Sequence, residues 1–404
     1  MGRLEETRRP LSQIGKEMQG KSQNVEQTQI HAQTQHNLIV SSVYCSIIHG
    51  GLQMTFTSSQ LLIQNCCLRK DHTSNFVDIW KNPSLESLRT TNIKGVWDPG
   101  CGNCEKLEKA GHVSMRTGLN DGLKIYPRTD LTGPAKIDLV FDTSCNLACR
   151  TCGTHSSTYW QRYLKQHDLW SGTIASSRSK DDAIQALSRM DLSNLRMLVF
   201  CGGETMLGQE YWDVAAWLAD NVPNAKQQLT LCFQTNGTQP ILEKNYDLID
   251  RFHLVKLYIS LDGVGNRFNY LRWPADWNQV VDNIMHIRDT APSNTMFLIE
   301  ETISIFNLYY LNELDAWVKN NFITNREGDV INHTQHFAGG IFGIQNCTQQ
   351  YVDHVRGTNS AGLISTHWKE NLLGVQEMLK EIHKFDQLRG ESFAKTFPEV
   401  AAFY

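Results

Sequence analysis

From about residue 135 the chain alternates two patterns. Short, β-leaning apolar runs lie at 137–142, 196–201, 228–235, 255–261, 296–304 and 336–344. Between them, apolar side chains recur at helical spacing over 156–167, 182–190, 210–221, 239–252, 278–290 and 312–320. Strand followed by helix, again and again, predicts an α/β fold on a parallel sheet. Six such units make an open or a closed barrel over residues 135–345, since a complete (β/α)8 barrel needs about 250 residues. Residues 346–404 read as a helical extension, with a main helix over 365–386, that covers one edge of the barrel.

Upstream the pattern weakens. Residues 41–130 form a cysteine-bearing segment with short helices predicted over 84–88, after Pro83, and 105–110, after the Asp98-Pro99-Gly100 turn. Residues 1–40 are polar, rich in Gln, Ser and Thr, and without apolar periodicity; they read as disordered or as a loose helical arm.

Composition narrows the function. Lys and Arg number 38 against 42 Asp and Glu, a net charge of -4, which gives no polyanion-binding signature and argues against a nucleic-acid partner. No apolar run approaches the length of a membrane span, and the N-terminus has no apolar core of a secretory signal. The 11 cysteines are odd in number and clustered, unlike a secreted disulfide framework. A reducing cytoplasm, with thiolates reserved for metal, is the expected setting.

Three of those cysteines, Cys145, Cys149 and Cys152, stand in a C-x3-C-x2-C run directly after the first barrel strand. Three thiolates on one loop hold three irons of a [4Fe–4S] cluster and leave the fourth open to a substrate or cofactor. In parallel α/β folds the loops at the C-terminal ends of strands build the site. Polar motifs fall at the following strand ends: Cys201-Gly-Gly-Glu-Thr205, Thr235-Asn-Gly-Thr238, Ser260-Leu-Asp-Gly263 and Glu301-Thr-Ile-Ser-Ile-Phe-Asn307. Singly these are weak, because Gly pairs and Asn-Gly mark ordinary turns. Together with the cysteine run they are not.

With those residues in view, the chain resembles the radical S-adenosylmethionine (radical SAM) enzymes over roughly 135–310. The resemblance implies a partial (β/α)6 TIM-type barrel, a [4Fe–4S] cluster on Cys145, Cys149 and Cys152, and S-adenosylmethionine (SAM) on the open iron. It implies that Gly202, Gly203 and Glu204 hold the methionine amino group, with glycine giving close backbone approach and the carboxylate pairing with the ammonium. Ser260 and Asp262 correspond to the ribose-contacting strand end. Asn236 and Ser304 lie where the family places polar groups near ribose and carboxylate, and Arg272, in Tyr270-Leu-Arg-Trp273, approaches the methionine carboxylate. The family often carries an aromatic residue before the third cysteine; here it is Thr151. An external electron donor such as flavodoxin or ferredoxin follows from the same resemblance.

A second set, Cys45, Cys66 or Cys67, Cys101 and Cys104, supplies four thiolates. Adjacent strand residues point to opposite faces, so only one of Cys66 and Cys67 faces a metal. On spacing alone this set suits structural zinc as well as iron. Residues 79–89 and 100–116 resemble the twitch/SPASM-like group, which implies an auxiliary [4Fe–4S] cluster beside the core. Cys201, Cys232 and Cys347 read as small core residues, and His49, His112 and His155 as structural or exposed. Of Glu300 and Glu301, one must point outward from a barrel lumen. The expected function is radical SAM chemistry on a peptide or protein side chain. The alternatives are the same radical acting on a sugar or nucleotide, or a non-catalytic iron–sulfur or zinc scaffold.

Overall fold

The structure is a computed structural model that describes residues 43–57, 60–66, 69, 78–109, 111, 114–123, 131–175, 179–322, 333–338, 340–358 and 369–404. The expected 1–40 arm, Cys67, His112 and the first residues of the 365–386 helix lie outside the described residues.

One sheet organises the chain. Its strands are β1 (Gly51–Phe56), β2 (Leu61–Gln64), β3 (Lys136–Val140), β4 (Met197–Cys201), β5 (Thr230–Thr235), β6 (Leu254–Ser260), β7 (Thr295–Ile303) and β8 (His333–Phe337), in the order β2-β1-β3-β4-β5-β6-β7-β8. Every neighbouring pair is parallel except β1 with β2. β3 to β7 lie within a few residues of their expected runs, and the α/β barrel core is as expected; β8 overlaps only residues 336–337 of the expected 336–344 strand, the later part of which holds 3-10 turns at Gly340–Phe342 and Ile344–Asn346. Two strands were not expected. β1 and β2 come from the cysteine-bearing N-terminal segment, and β1 pairs with β3, Gly51 opposite Lys136 and Thr55 opposite Val140.

The two-residue period of the strands sorts the side chains. On β6, Val255, Leu257 and Ile259 are buried among the helices, while Lys256, Tyr258 and Ser260 take the other face. The same split puts Ile137 and Leu139, Leu198 and Phe200, Leu231 and Phe233, and Phe297 and Ile299 in the outer core. The inner face mixes polar groups with Val199 and Leu298. It carries the Lys136–Asp138 ion pair, Gln53 bonded to Gln64 at 2.5 Å, Cys232 beside Tyr258, and Glu300 in register with Ser260.

Three helices differ from expectation, and the first, expected over 84–88, runs Pro83–Ile93. The 239–252 stretch holds only a turn of 3-10 helix, Glu243–Asn245, and a short helix, Tyr246–Ile249. Pro240 holds the preceding residue out of the helical region, so the start is lost. The C-terminal helix runs Leu372–Arg389, beyond the expected 386, and stops at Gly390 in the left-handed conformation, φ 67°. It packs with Tyr270, Phe306, Phe393 and Phe397 in a second apolar cluster.

Met54 of β1 is fully buried in the same core as Ile137 and Leu139. Met54→Ala should therefore destabilise the whole barrel by roughly 2–5 kcal/mol. Urea unfolding followed by tryptophan fluorescence checks this; a separate early transition, with the main one unmoved, would mean that β1 is not part of the barrel core.

Candidate functional site

β3 passes directly into the loop that carries Cys145, Cys149 and Cys152. The loop is held by its own downstream helix, Thr158–Gln166. Thr158 N donates to Thr143 O at 3.1 Å, Cys145 N to Thr158 Oγ1 at 3.2 Å, Ser157 Oγ to Leu147 O at 2.6 Å, and Trp160 Nε1 to Cys149 O at 2.9 Å. Across the loop, Ala148 N donates to Trp273 O at 2.8 Å and Arg150 N to Leu271 O at 2.7 Å. Burial pushes the Cys145 thiol up to about 11 and raises Cys149 and Cys152 as well.

The Gly202-Gly203-Glu204 turn after β4 is laced onto the start of that loop. Gly203 N donates to Asp142 O at 3.2 Å and Glu204 N to Ser144 O at 2.8 Å. A Cβ on Gly202 would lie 2.2 Å from Asp142 O, and one on Gly203 would lie 2.1 Å from Ser144 O. The first need for glycine here is thus the approach of two protein backbones. Glu204 is buried, 2% exposed. Its Oε1 accepts from Thr235 Oγ1 at 2.6 Å and Met206 N at 2.9 Å, and its Oε2 from Asn236 N at 2.6 Å. Burial raises its pKa, against those hydrogen bonds and the charge of Arg272. Asn236 in turn donates from Nδ2 to Asn146 Oδ1 at 3.0 Å, and Asn146 donates to Thr238 Oγ1 at 2.8 Å. Asn146, inside the cysteine run, was not singled out in sequence; only the fold places it against the Asn-Gly turn.

Asp262 and Arg272 pair with each other. Arg272 Nη2 lies 2.9 Å from Asp262 Oδ2, with both side chains buried, and Thr302 N donates to Asp262 Oδ1 at 2.8 Å. Burial works against the Arg272 charge, but Asp262 and then Cys149 favour it more, so its pKa is raised. Ser304 is fully buried; its Oγ donates to Asn307 Oδ1 at 3.0 Å, and Asn307 Nδ2 donates to Asp262 O at 3.1 Å. Ser304 and Asn307 thus brace the turn after β7.

A cleft of about 280 Å³ opens on the upper rim, and Cys145, Cys149, Cys152, Gly202, Gly203, Asn236, Ser260 and Arg272 all line it. Glu204, Asp262 and Ser304 are buried and are not among the residues that line it. The sequence reading missed Gln234, Ser156 and Thr302 in the lining. Glu300 lines the cleft and Glu301 does not, as the strand period requires. His155 is the only ring among the lining residues, and Thr151 stands beside it.

The loop is clamped from the rear. Arg150, with no exposed side-chain surface, reaches Asp386 at 2.8 Å and Glu391 at 2.7 Å. Its guanidinium lies 3.9 Å from the Tyr270 ring, whose hydroxyl also donates to Asp386, at 2.8 Å. Arg389 donates to Ala148 O at 3.0 Å and sits over Trp273 and Trp160.

Cys45, Cys66, Cys101 and Cys104 line one separate pocket of about 30 Å³, with Arg69, Asp98 and Arg116. Cys45 precedes the short Ser46–Gly50 helix that enters β1, and Cys66 follows the antiparallel β2. Both therefore lie off the lower rim, with the length of β3, roughly 13 Å at strand rise, between the rims. Burial pushes the Cys45 thiol up to about 11.

Among the described residues, no three His, Cys, Asp or Glu side chains form a group that holds a single metal ion. Tetrahedral zinc sets its sulfurs about 3.8 Å apart, given Zn–S bonds of about 2.3 Å. A [4Fe–4S] cube binds each thiolate on a different iron and takes a wider set. Three thiols in one cleft and four in one pocket fit that donor chemistry.

The family comparison agrees with the upper site. Residues 139–306 match the Radical SAM superfamily. That match covers less than half of the chain. The matched span contains the cysteine triplet and the strand-end motifs through Ser304, and likeness to this superfamily implies a [4Fe–4S] cluster and SAM. Among solved structures, the chain is similar to anSMEcpe with bound AdoMet and Cp18Cys peptide at 15% identity and TM-score 0.37, over 55% of this chain and 57% of that one. It is similar to Streptococcus suis SuiB bound to S-adenosylmethionine at 9% identity and TM-score 0.36, over 86% and 73%. The chain thus spans little more than half of the anSMEcpe chain, and likeness at this level bears on neither substrate nor reaction. No curated protein matches the chain.

The rear clamp yields a prediction. Asp386→Ala takes one carboxylate from a buried arginine and should cost about 3 kcal/mol, the low end for a broken buried pair because Glu391 remains. Urea unfolding reads the loss, and iron retained after gel filtration should fall with it. Glu391→Ala, which leaves Tyr270 and Asp386 in place, should lose less.

Proposed function

We propose that this protein is a radical SAM enzyme acting on a peptide or protein side chain held in the barrel lumen, and that the lower pocket carries a second, auxiliary [4Fe–4S] cluster. The observation that carries the first part is the cleft. Three thiols, a doubled glycine, Asn236, Ser260 and Arg272 converge on one rim. Cys145, Cys149 and Cys152 would hold the cluster, and SAM bound beside them would supply a 5′-deoxyadenosyl radical for hydrogen abstraction from the substrate.

The chain's own residues set where this happens. Cys145, Cys149 and Cys152 anchor the cluster. The backbones of Gly202 and Gly203, laced to Asp142 and Ser144, present the turn to the amino group, while Glu204 holds that turn to β5. Arg272, charged and buried, faces the carboxylate end; Asp262 keeps it oriented. Ser260 and Asn236 offer polar atoms to the ribose. His155 supplies a ring at the mouth, where Thr151 has none.

Support for the substrate class comes from the lumen and from the twitch/SPASM-like motifs of the N-terminal segment. Gln234 and Glu300 line the cleft, and Tyr258, Lys256 and the Lys136–Asp138 pair share the inner face of the same strands. Amides and both signs of charge suit the mixed hydrogen-bonding groups of a peptide. The thiols off the lower rim would hold a cluster able to take up an electron from a substrate radical.

Anaerobic reconstitution tests the whole reading. About eight irons per chain are expected, and dithionite with SAM should yield 5′-deoxyadenosine. Cys149→Ala should abolish that cleavage; Cys101→Ala should leave part of it while stopping turnover of substrate. A fully loaded, reduced protein that yields no 5′-deoxyadenosine would sink the radical assignment. For the substrate, a deuterated peptide digest should pass deuterium into 5′-deoxyadenosine. Transfer only from a deuterated small-metabolite extract would favour a small molecule instead.

A further inference from the structure

We infer that Arg69 is an electrostatic tuner of the lower-rim cluster, raising its reduction potential by a hydrogen bond and a buried positive charge at Cys101; this rests on the auxiliary-cluster reading above. Arg69 lies three residues after Cys66, and its backbone N donates to Cys66 O at 3.1 Å. Its side chain crosses to the other arm of the pocket. Nη1 lies 3.8 Å from Cys101 Sγ and 2.6 Å from Asp98 Oδ1, and the side chain is 7% exposed. The Asp98-Pro99-Gly100-Cys101 turn is shaped around this group. Asp98 Oδ1 also accepts from Gly100 N at 2.8 Å, and a Cβ on Gly100 would stand 2.8 Å from the guanidinium carbon of Arg69. Glycine at 100 leaves the space that the guanidinium fills.

The physical consequence follows from charge. A [4Fe–4S] cluster on four thiolates is an anion that becomes more negative by one charge when it takes one electron, with no bond made or broken. A fixed cation at one sulfur favours the more negative state, and a donor to a ligand sulfur acts in the same direction. Arg69 does both at Cys101. Arg116 adds to the field: it pairs with Glu108, donates to Tyr44 O at 2.5 Å, and lies within electrostatic reach of Cys45 and Cys104. The Asp98 carboxylate offsets part of the Arg69 charge while holding it in place. A cluster so placed is biased to accept an electron, whereas the upper cluster must give one to SAM.

The competing role for Arg69 is a staple that joins the Cys66 arm to the Cys101 turn. Potential and iron content separate the two. The experiment is an EPR-monitored redox titration of the reconstituted full chain with dithionite. SAM is present throughout, because it perturbs the upper cluster's signal and so identifies the lower one. Arg69→Gln should retain its iron and lower the lower cluster's midpoint by at least about 59 mV, a tenfold change in the reduced-to-oxidised ratio for one electron. Arg69→Lys, which keeps the charge but not the planar fork, should fall between. An unmoved midpoint at full iron content overturns the inference and leaves the auxiliary cluster standing. If Arg69→Gln sheds iron, Arg69→Lys decides: a lowered midpoint supports tuning, and an unchanged one overturns it. About four irons and one zinc in the unsubstituted protein would overturn both this inference and the reading beneath it.

Discussion

A single buried carboxylate knits the upper rim. Glu204 belongs to the turn after β4, is laced by its backbone to the loop after β3, and is bonded by its side chain to the turn after β5. Removing a carboxylate from water is costly, and an unmet buried acceptor costs more still. Three donors meet this one, so the burial becomes a constraint: the turns at three strand ends can sit in only one mutual arrangement. Asn236 and Asn146 carry the same constraint back into the cysteine run. The spacing of three thiols against the glycine turn is therefore a property of a closed polar network rather than of any single loop.

The rear of the cysteine loop is fixed by a different physics. Arg150, buried, and Arg389, half-buried, are cations among aromatic rings, held by carboxylates and carbonyls that lie more than 230 residues away in the sequence. The C-terminal helix is thereby part of the site's foundation, although none of its residues lines the upper cleft. Low-dielectric surroundings make such contacts sensitive to geometry, which suits a loop that must present thiolates at set positions.

Much of this was legible in the sequence because it rests on short-range regularities. The strands β3 to β7 announce themselves as apolar runs, and the residues that face the cleft sit at strand ends where parallel α/β folds place chemistry. What was not legible is pairwise. Nothing in Gly51–Phe56 says that it lies beside β3, because six residues with a two-residue period fit any sheet. The pairing of Asp262 with Arg272 and the burial of Ser304 against Asn307 are likewise long-range or fold-dependent facts. Sequence offered them as separate residues; the fold pairs them with one another. Cys45, Cys66, Cys101 and Cys104 line one pocket, where the C-x2-C turn meets two upstream cysteines.

The insertion of β1 beside β3 has a geometric consequence. One thiol-bearing loop leaves the top of β3, and the other thiol-bearing pocket hangs from the bottom of β1, its immediate neighbour in register. The separation between the two is thus metered by a strand five residues long, not by the side chains that fill the lumen. Lumen residues are free to diversify with the substrate while the ruler beneath them stays the same length. Adding two residues to β3 would lengthen the gap by roughly 7 Å at strand rise, an alteration no side-chain change could repair. Evolution of such a barrel can explore its contents far more cheaply than its height.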